Sequence, residues 1–293
     1  MAHHQAPNPQ FQITADNPIP DKTVCLLKFI WCLVFGIWIF PLVSPWDVFA
    51  SPSAKSAEMT TASPSDVFEI GKPLIFDVSW MGCPVGTGTL QVKEKVRIRG
   101  RDAFHVIAIA ETNHFLSHLY PVHDEIHSFI DSREFYSLEF RKTLMEGRYR
   151  ADEVIRYDPD QKKGFYESLR NQTKKEITIP PKVHDLISAF FWFRLQPWAP
   201  GKSFHTVVNS EEENWDLDID VLKRETKELR GSPVIETVQV EPRTRLKGVF
   251  YNRGRVWVNF SVGPKRLPVW IRLQTPFGPM VGVLRAKGAN LAS

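Results

Sequence analysis

The chain lacks the means to be held together by disulfides. Its 293 residues include three cysteines, and two of them, Cys25 and Cys32, flank or lie in an N-terminal apolar stretch. Once that stretch is removed Cys83 stands alone, no intrachain bridge can form, and the fold must rest on its core. Cys83 has no His or second Cys beside it in sequence, which reads as a packed, inert thiol. Dense Lys/Arg tracts are missing too. The net charge of +4 is small and spread out, which argues against nucleic acid as a partner; the RIRGR run at Arg97 to Arg101 reads as a solvated hairpin tip. There is no nucleophile elbow, no phosphate-cradling glycine loop, no paired CxxC and no internal repeat. No apolar run reaches the ~20 residues that a membrane-spanning helix needs.

What the chain does have is strand-forming sequence. Hydrophobic residues at 43% and charged residues at 24% are ordinary for a globular protein with a proper core. Nine Trp and twenty Phe favour strands. The stretch Phe76 to Leu90, FDVSWMGCPVGTGTL, alternates Phe76, Val78 and Trp80 with Asp77 and Ser79, turns at Gly82 and Pro84, and leaves through Gly86 and Gly88. Glycines so placed predict a bend, or a close approach of two backbones, in the opening hairpin of a large antiparallel sheet.

Ahead of that hairpin, residues 1–50 read as a leader and signal segment. Met1 to Asp21 is polar, proline-bearing and without period. Lys22 and Lys28 precede the apolar Phe29 to Val43, interrupted by Pro41, and Val48-Phe49-Ala50 ends on the small residue that a signal peptidase requires. The expectation is export to the periplasm or cell envelope. An uncleaved anchor is the alternative, and membrane contact would then run through this segment alone. Residues 51–66 are rich in Ser, Ala, Thr and Pro and read as a disordered linker. Residues 67–284 form a single β domain, followed by a tail at 285–293.

Within the domain, Leu90, Val92, Val96 and Ile98 alternate with Gln91, Lys93, Lys95 and Arg97, a half-buried strand. Phe104 to Ala110, Glu125 to Asp131, Phe135 to Leu144, Ala151 to Tyr157, Gly164 to Arg170 and Gln172 to Ile179 follow. A single convincing helix, Asp185 to Leu195, is capped by Asp185 on the Ser188 amide and stopped by Pro197 and Pro200. Leu186, Ala189, Phe190 and Phe193 share one face, while Ile187, Phe191 and Trp192 make the other apolar too. Phe190→Ala is therefore expected to cost roughly 3–5 kcal/mol. Strands resume at Leu217 to Val221, Pro233 to Val240, Val249 to Tyr251, Arg255 to Phe260, Leu267 to Thr275 and Met280 to Leu284. The fold class is mostly β: one twisted antiparallel sheet closing toward a barrel, with an apolar helix packed on or in it.

Together FDVSWMGCPVGTGTL, HLYPVHDEIHSFID, HDLISAFFWFR, LKGVFYNRGRVWVNF and RLPVWIRLQTPFGPMVGVL resemble, in order, the DUF3108 family of exported bacterial β-rich proteins. The likeness runs from about Phe68 to Leu284. It implies export and a barrel-like sheet, and no catalytic residues. Family members often carry an Asp-containing turn where this chain has Ser261-Val262-Gly263-Pro264-Lys265, so nothing is carried over from that turn.

Candidate chemistry is sparse. His114, His118, His123, Asp124, Glu125 and His127 supply imidazole and carboxylate suited to a transition ion. On a strand His123, Glu125 and His127 share a face, but at about 6.6 to 13 Å apart they cannot hold one ion unaided. Polar positions beside a turn are the plainer reading, and a metal-dependent hydrolase the weakest of three functional readings. Asp216, Asp218 and Asp220 alternate with apolar residues and form an outer acidic face, not a calcium loop. Asp77, Glu111 and Glu125 could pair as acid and base only if folding brought them together. Trp80, Trp192, Trp257 and Trp270 read first as core and second as the lining of a cavity beneath the helix, which small Ala108 and Ala110 would leave room for. Arg194 is expected first to pair with a carboxylate or with helix-end carbonyls, and second to contact a ligand together with those tryptophans. No cofactor is expected. The leading reading is a non-enzymatic exported protein with an apolar or lipid-like ligand; the alternative is a module that binds an envelope protein in envelope or polysaccharide assembly.

Overall fold

The computed structural model describes residues 61–210, 212–229, 231, 233–246, 249–250 and 254–286. The leader, the apolar segment and the linker up to residue 60 lie outside the described residues. Among those described, no helix is long and apolar enough to cross a membrane.

Among the described residues fifteen strands make one antiparallel sheet. Its first half is a meander of β1 (Leu74–Trp80), β2 (Cys83–Ile98), β3 (Arg101–Thr112), β4 (His123–Asp131), β5 (Ser137–Glu146), β6 (Tyr149–Asp158), β7 (Lys163–Ser168) and β8 (Thr173–Thr178). The second half comprises β9 (Ser203–Ser210), β10 (Glu213–Lys227), β11 (Ile235–Leu246), β12 (Val249–Phe250), β13 (Arg255–Ser261), β14 (Pro268–Thr275) and β15 (Gly278–Leu284). β15 pairs with β1, which joins the two meanders, and β12 pairs with β11 off this path. The sequence reading passes over β9, because Ser203 to Ser210 is short and polar at both ends; pairing with β10 supplies what local pattern does not.

The two edges, β8 and β9, are brought back together without a β8–β9 ladder among the described residues. Asn214 Nδ2 donates to the Thr178 carbonyl at 2.7 Å, and Lys175 meets Glu212 at 2.6 Å. His184 donates its amide to Val207 O and accepts from the Asn209 amide. The sheet is barrel-like and not strictly closed.

Among the described residues three helices accompany it: α1 (Pro64–Val67), α2 (His114–Ser117) and α3 (Leu186–Arg194). α1 lies partly within the stretch read as linker. Ser63 caps it, Pro64 starts it, and Val67 and Phe68 are buried. Phe68 stacks between Phe104 at 4.2 Å and Phe191 at 4.7 Å, so this entry segment is part of the core.

α3 is capped as its sequence predicts, Asp185 Oδ1 accepting from the Ser188 amide at 2.8 Å. Its burial differs from the expectation. Ile187, Ala189, Phe191 and Phe193 are buried, and Leu186, Phe190 and Trp192 are half-buried. Strands surround the helix on several sides, so the deeper face is set by where α1 and the sheet lie rather than by the helix's own pattern. Phe193, Trp198 and Phe260 extend the aromatic core beneath it, with ring centres 4.9 to 5.9 Å apart.

A bulge corrects the reading of β2. The register shifts between Val92 and Glu94. Leu90 and Val92 therefore belong to the main core, while Val96 and Ile98 pack on the opposite face against Ala103, Phe129, Tyr136 and Leu138. One inserted residue exchanges the two faces of a strand. The glycines of the opening hairpin behave as expected: a Cβ on Gly86 would sit 2.0 Å from the Glu111 carbonyl oxygen.

Candidate functional site

The histidine-rich stretch is divided by the fold. His114 and His118 sit on and just after α2, edge to face with ring centres 4.8 Å apart. His123, Glu125 and His127 share the outer face of β4, whereas Asp124 is buried and accepts the Met145 amide at 3.0 Å. His123 meets Glu111 at 2.8 Å. His127 meets Glu125 at 3.0 Å and, through Nδ1, His105 Nε2 at 2.9 Å. Glu94 lies 3.5 Å from His105. His105 and Glu94 are partners that sequence reasoning missed, because strand register sets them beside β4 from 22 or more residues away. Burial pushes both His105 and His127 below the usual imidazole value. The nitrogens face one another in a line rather than a common point, and no group of three or more His, Cys, Asp or Glu among the described residues could hold a metal ion.

The other carboxylate candidates are likewise kept apart. Asp77 meets Arg285 at 2.6 Å and lies across β2 from Glu111, with Thr87 between them. Asp218 pairs with His205 and Arg245, and Asp220 with Arg243 and Ser203. The acidic face of β10 is thus a set of cross-strand ion pairs.

The four tryptophans do not share a wall. Trp192 packs against buried His184 with centres 5.5 Å apart. Trp80 donates its indole N–H to the Phe277 carbonyl at 3.1 Å. Trp257 and Trp270 are half-buried between buried neighbours, Trp257 under Arg255 and Trp270 under Lys227, and Trp270 also packs against the main core. Arg194 takes the carbonyls of a distant turn rather than a carboxylate or the carbonyls of its own helix end. It donates to Arg266 O at 3.1 Å and Lys265 O at 2.7 Å, and Arg266 returns a bond to Arg194 O at 2.7 Å. Burial lowers the Arg194 pKa to about 9 and that of Arg266 to about 10. The pair clamps the end of α3 to the β13–β14 turn. Cys83, expected to be packed, is exposed.

Beneath the N-terminus of α3 lies a buried polar cluster. Asp185 Oδ2 accepts from Ser128 Oγ and Ser137 Oγ, each at 2.6 Å. His184 Nδ1 lies 3.3 Å from Ser188 Oγ, and Tyr157 donates to Asn209 Oδ1 at 3.2 Å. These groups spend their hydrogen bonds on one another. Burial pushes the His184 pKa from 6.5 to about 4. The unfolded chain therefore takes up a proton near pH 6.5 and the folded chain only near 4. Stability is full above pH 6.5 and is lost as pH falls toward 4, by about 3 kcal/mol from this residue. Melting temperatures measured across that window should decline in the native protein and decline less in His184→Gln; parallel curves would refute the assignment.

A group of exposed large apolar side chains sits at the end of the barrel away from α3. Alternate turns of an antiparallel meander share an end, so the β1–β2, β3–β4, β5–β6 and β14–β15 turns gather there. Phe115 is 77% exposed, Leu119 74%, Met81 62% and Phe277 45%, with Met145 and Tyr149 also exposed. Backbone bonds make the turns one rim. Met81 N donates to Pro279 O, Asn113 N to Val85 O, and Gly147 N to Pro121 O. Large apolar residues inside turn sequences such as Trp80-Met81-Gly82 and Pro276-Phe277-Gly278 are the signal that could have found this rim.

A family model described as a protein of unknown function, DUF3108, matches residues 75–285. Among curated proteins none matches the chain. Two solved structures are similar in shape. One, a beta-barrel-like protein of a domain of unknown function, DUF1849, from Brucella abortus, matches with TM-score 0.46 and 8% identity, over 73% of this chain and 94% of that one. The other, from Bacteroides fragilis, is inferred to be exported and has a YmcC-like fold; it matches with TM-score 0.28 and 9% identity, over 78% of this chain and 97% of that one.

Proposed function

The chain belongs to the DUF3108 family, whose function is unknown, and on that premise we propose an exported, non-enzymatic envelope protein that binds an apolar, lipid-like molecule at the rim opposite α3. The observation that carries this reading is the contiguous set of exposed apolar side chains on four adjoining turns. Apolar patches of that kind on a barrel mark interaction sites. Export is supported by the basic flank, apolar run and small-residue exit of residues 22–50. The placement beneath α3 gives way to the rim because stacked aromatic rings lie under the helix.

Assembly with an envelope protein by strand addition is the second reading. It would use an edge, and β8, which has no ladder on its outer side among the described residues, carries exposed Thr173, Lys174, Lys175 and Glu176. Charged edges discourage strand pairing, which ranks the rim ahead. An environment-sensitive apolar dye should bind the native protein and be displaced by a fatty acid. Phe115→Ser combined with Leu119→Ser should weaken dye binding roughly tenfold, since each removes a large apolar surface, with the melting temperature unchanged. Failure of the native protein to bind dye would overturn the reading.

A further inference from the structure

We propose that the occupant of the rim is an anionic phospholipid surface, with a lipid phosphate seated in the recess beside α2. This rests on the reading of the rim as the binding site and names its partner. The apolar side chains stand on separate turns and project outward, so they do not enclose a single acyl chain. Projecting apolar tips instead fit the boundary between headgroups and acyl chains, where binding grows with buried apolar area and with attraction to anionic lipid. Tyr149 supplies an exposed amphipathic ring of the kind that sits at headgroup level.

The charges point the same way. Over residues 80–84, 113–121, 145–149 and 276–279 the single carboxylate is Glu146, and it is buried. Arg148, His114 and His118 on the same turns are exposed. Between α2 and the β5–β6 turn the surface dips into a recess of about 290 Å³, lined by Thr87, Ser117, His123, Arg150 and Met145 among others. Its one exposed acid, Glu111, is paired with His123. Hydroxyls and a guanidinium directly below apolar tips are the donors that a lipid phosphate takes. Arg150 spends Nη1 on the Gly147 and Tyr149 carbonyls, which holds the guanidinium at the lip of the recess.

The test is sedimentation of the full chain with vesicles of phosphatidylcholine alone and of phosphatidylcholine mixed with phosphatidylglycerol. Every variant carries the same N-terminal residues, so differences report the rim. Binding to the anionic vesicles should exceed binding to the neutral ones roughly tenfold, at about one Lys or Arg contact per kcal/mol. Arg148→Glu should remove most of that preference, and Phe115→Ser with Leu119→Ser should reduce binding to both. Arg150→Gln is a second probe of the recess; Arg148→Glu stands by itself should that variant fail to fold. Equal binding to both vesicles, or binding that neither substitution changes, would overturn the proposal. If dye and fatty acid bind while vesicles do not, the bilayer is wrong and the apolar site stands. If none binds, both fall.

Discussion

Asp185→Ala is expected to destabilise the protein by about 3–5 kcal/mol, because the substitution leaves buried hydroxyl donors and a helix amide without their acceptor. The carboxylate ties three parts of the chain together. Oδ1 holds the Ser188 amide of α3, and Oδ2 takes Ser128 from β4 and Ser137 from β5. All four residues are buried, so water cannot replace the missing oxygen. Asp185→Asn makes the assignment sharper. Its amide oxygen can keep the cap and its two N–H groups can donate to the serine hydroxyls, which accept as well as donate. Burial also raises the Asp185 pKa, so removing the charge relieves part of its desolvation. Urea unfolding should show Asn losing less than half of what Ala loses. Equal losses would mean that the charge, not the hydrogen-bond geometry, holds the helix.

Phe191→Ala should cost about 3–5 kcal/mol and Phe190→Ala clearly less, in reverse of what helical periodicity by itself suggests. Phe191 is fully buried, stacked on Phe68 and crossed by the Arg194 guanidinium 5.0 Å away. Phe190 is half-buried and meets Phe260 at 5.5 Å and Phe191 at 5.8 Å. Shortening the chain to begin after Phe68 should produce a loss comparable to Phe191→Ala, since the same stack is dismantled. Comparable costs for the two helix substitutions would place the core on the wrong side of α3.

Some features of this site were legible locally and others were not, and the division follows distance along the chain. The Asp185 cap needs only residues 185 to 188, so its sequence is sufficient. The serines that complete it come from 57 and 48 residues away. His127 and Glu125 are two residues apart on one strand face and pair as alternation demands, whereas His105 reaches them only through the β3–β4 register. The rim was passed over for a different reason. Large apolar residues are read as core by default, and nothing in residues 113–121 alone says that Phe115 and Leu119 have no strand to lie against.

Composition and period-two alternation determined that the chain builds one antiparallel sheet, because strand side chains alternate wherever one face is buried. Asp185, Pro197 and Pro200 determined the position of the helix, because caps and breakers act within a few residues. Only the tertiary structure decided which face of that helix is deepest, since this depends on the α1 segment and on a strand 70 residues away in sequence. Only the structure exchanged the faces of β2, through a bulge that no residue type announces. The exposure of Cys83, Met81, Phe115 and Phe277 was decided there too. Burial is a property of neighbours, and at the end of the barrel farthest from α3 the described chain supplies those tips with too few.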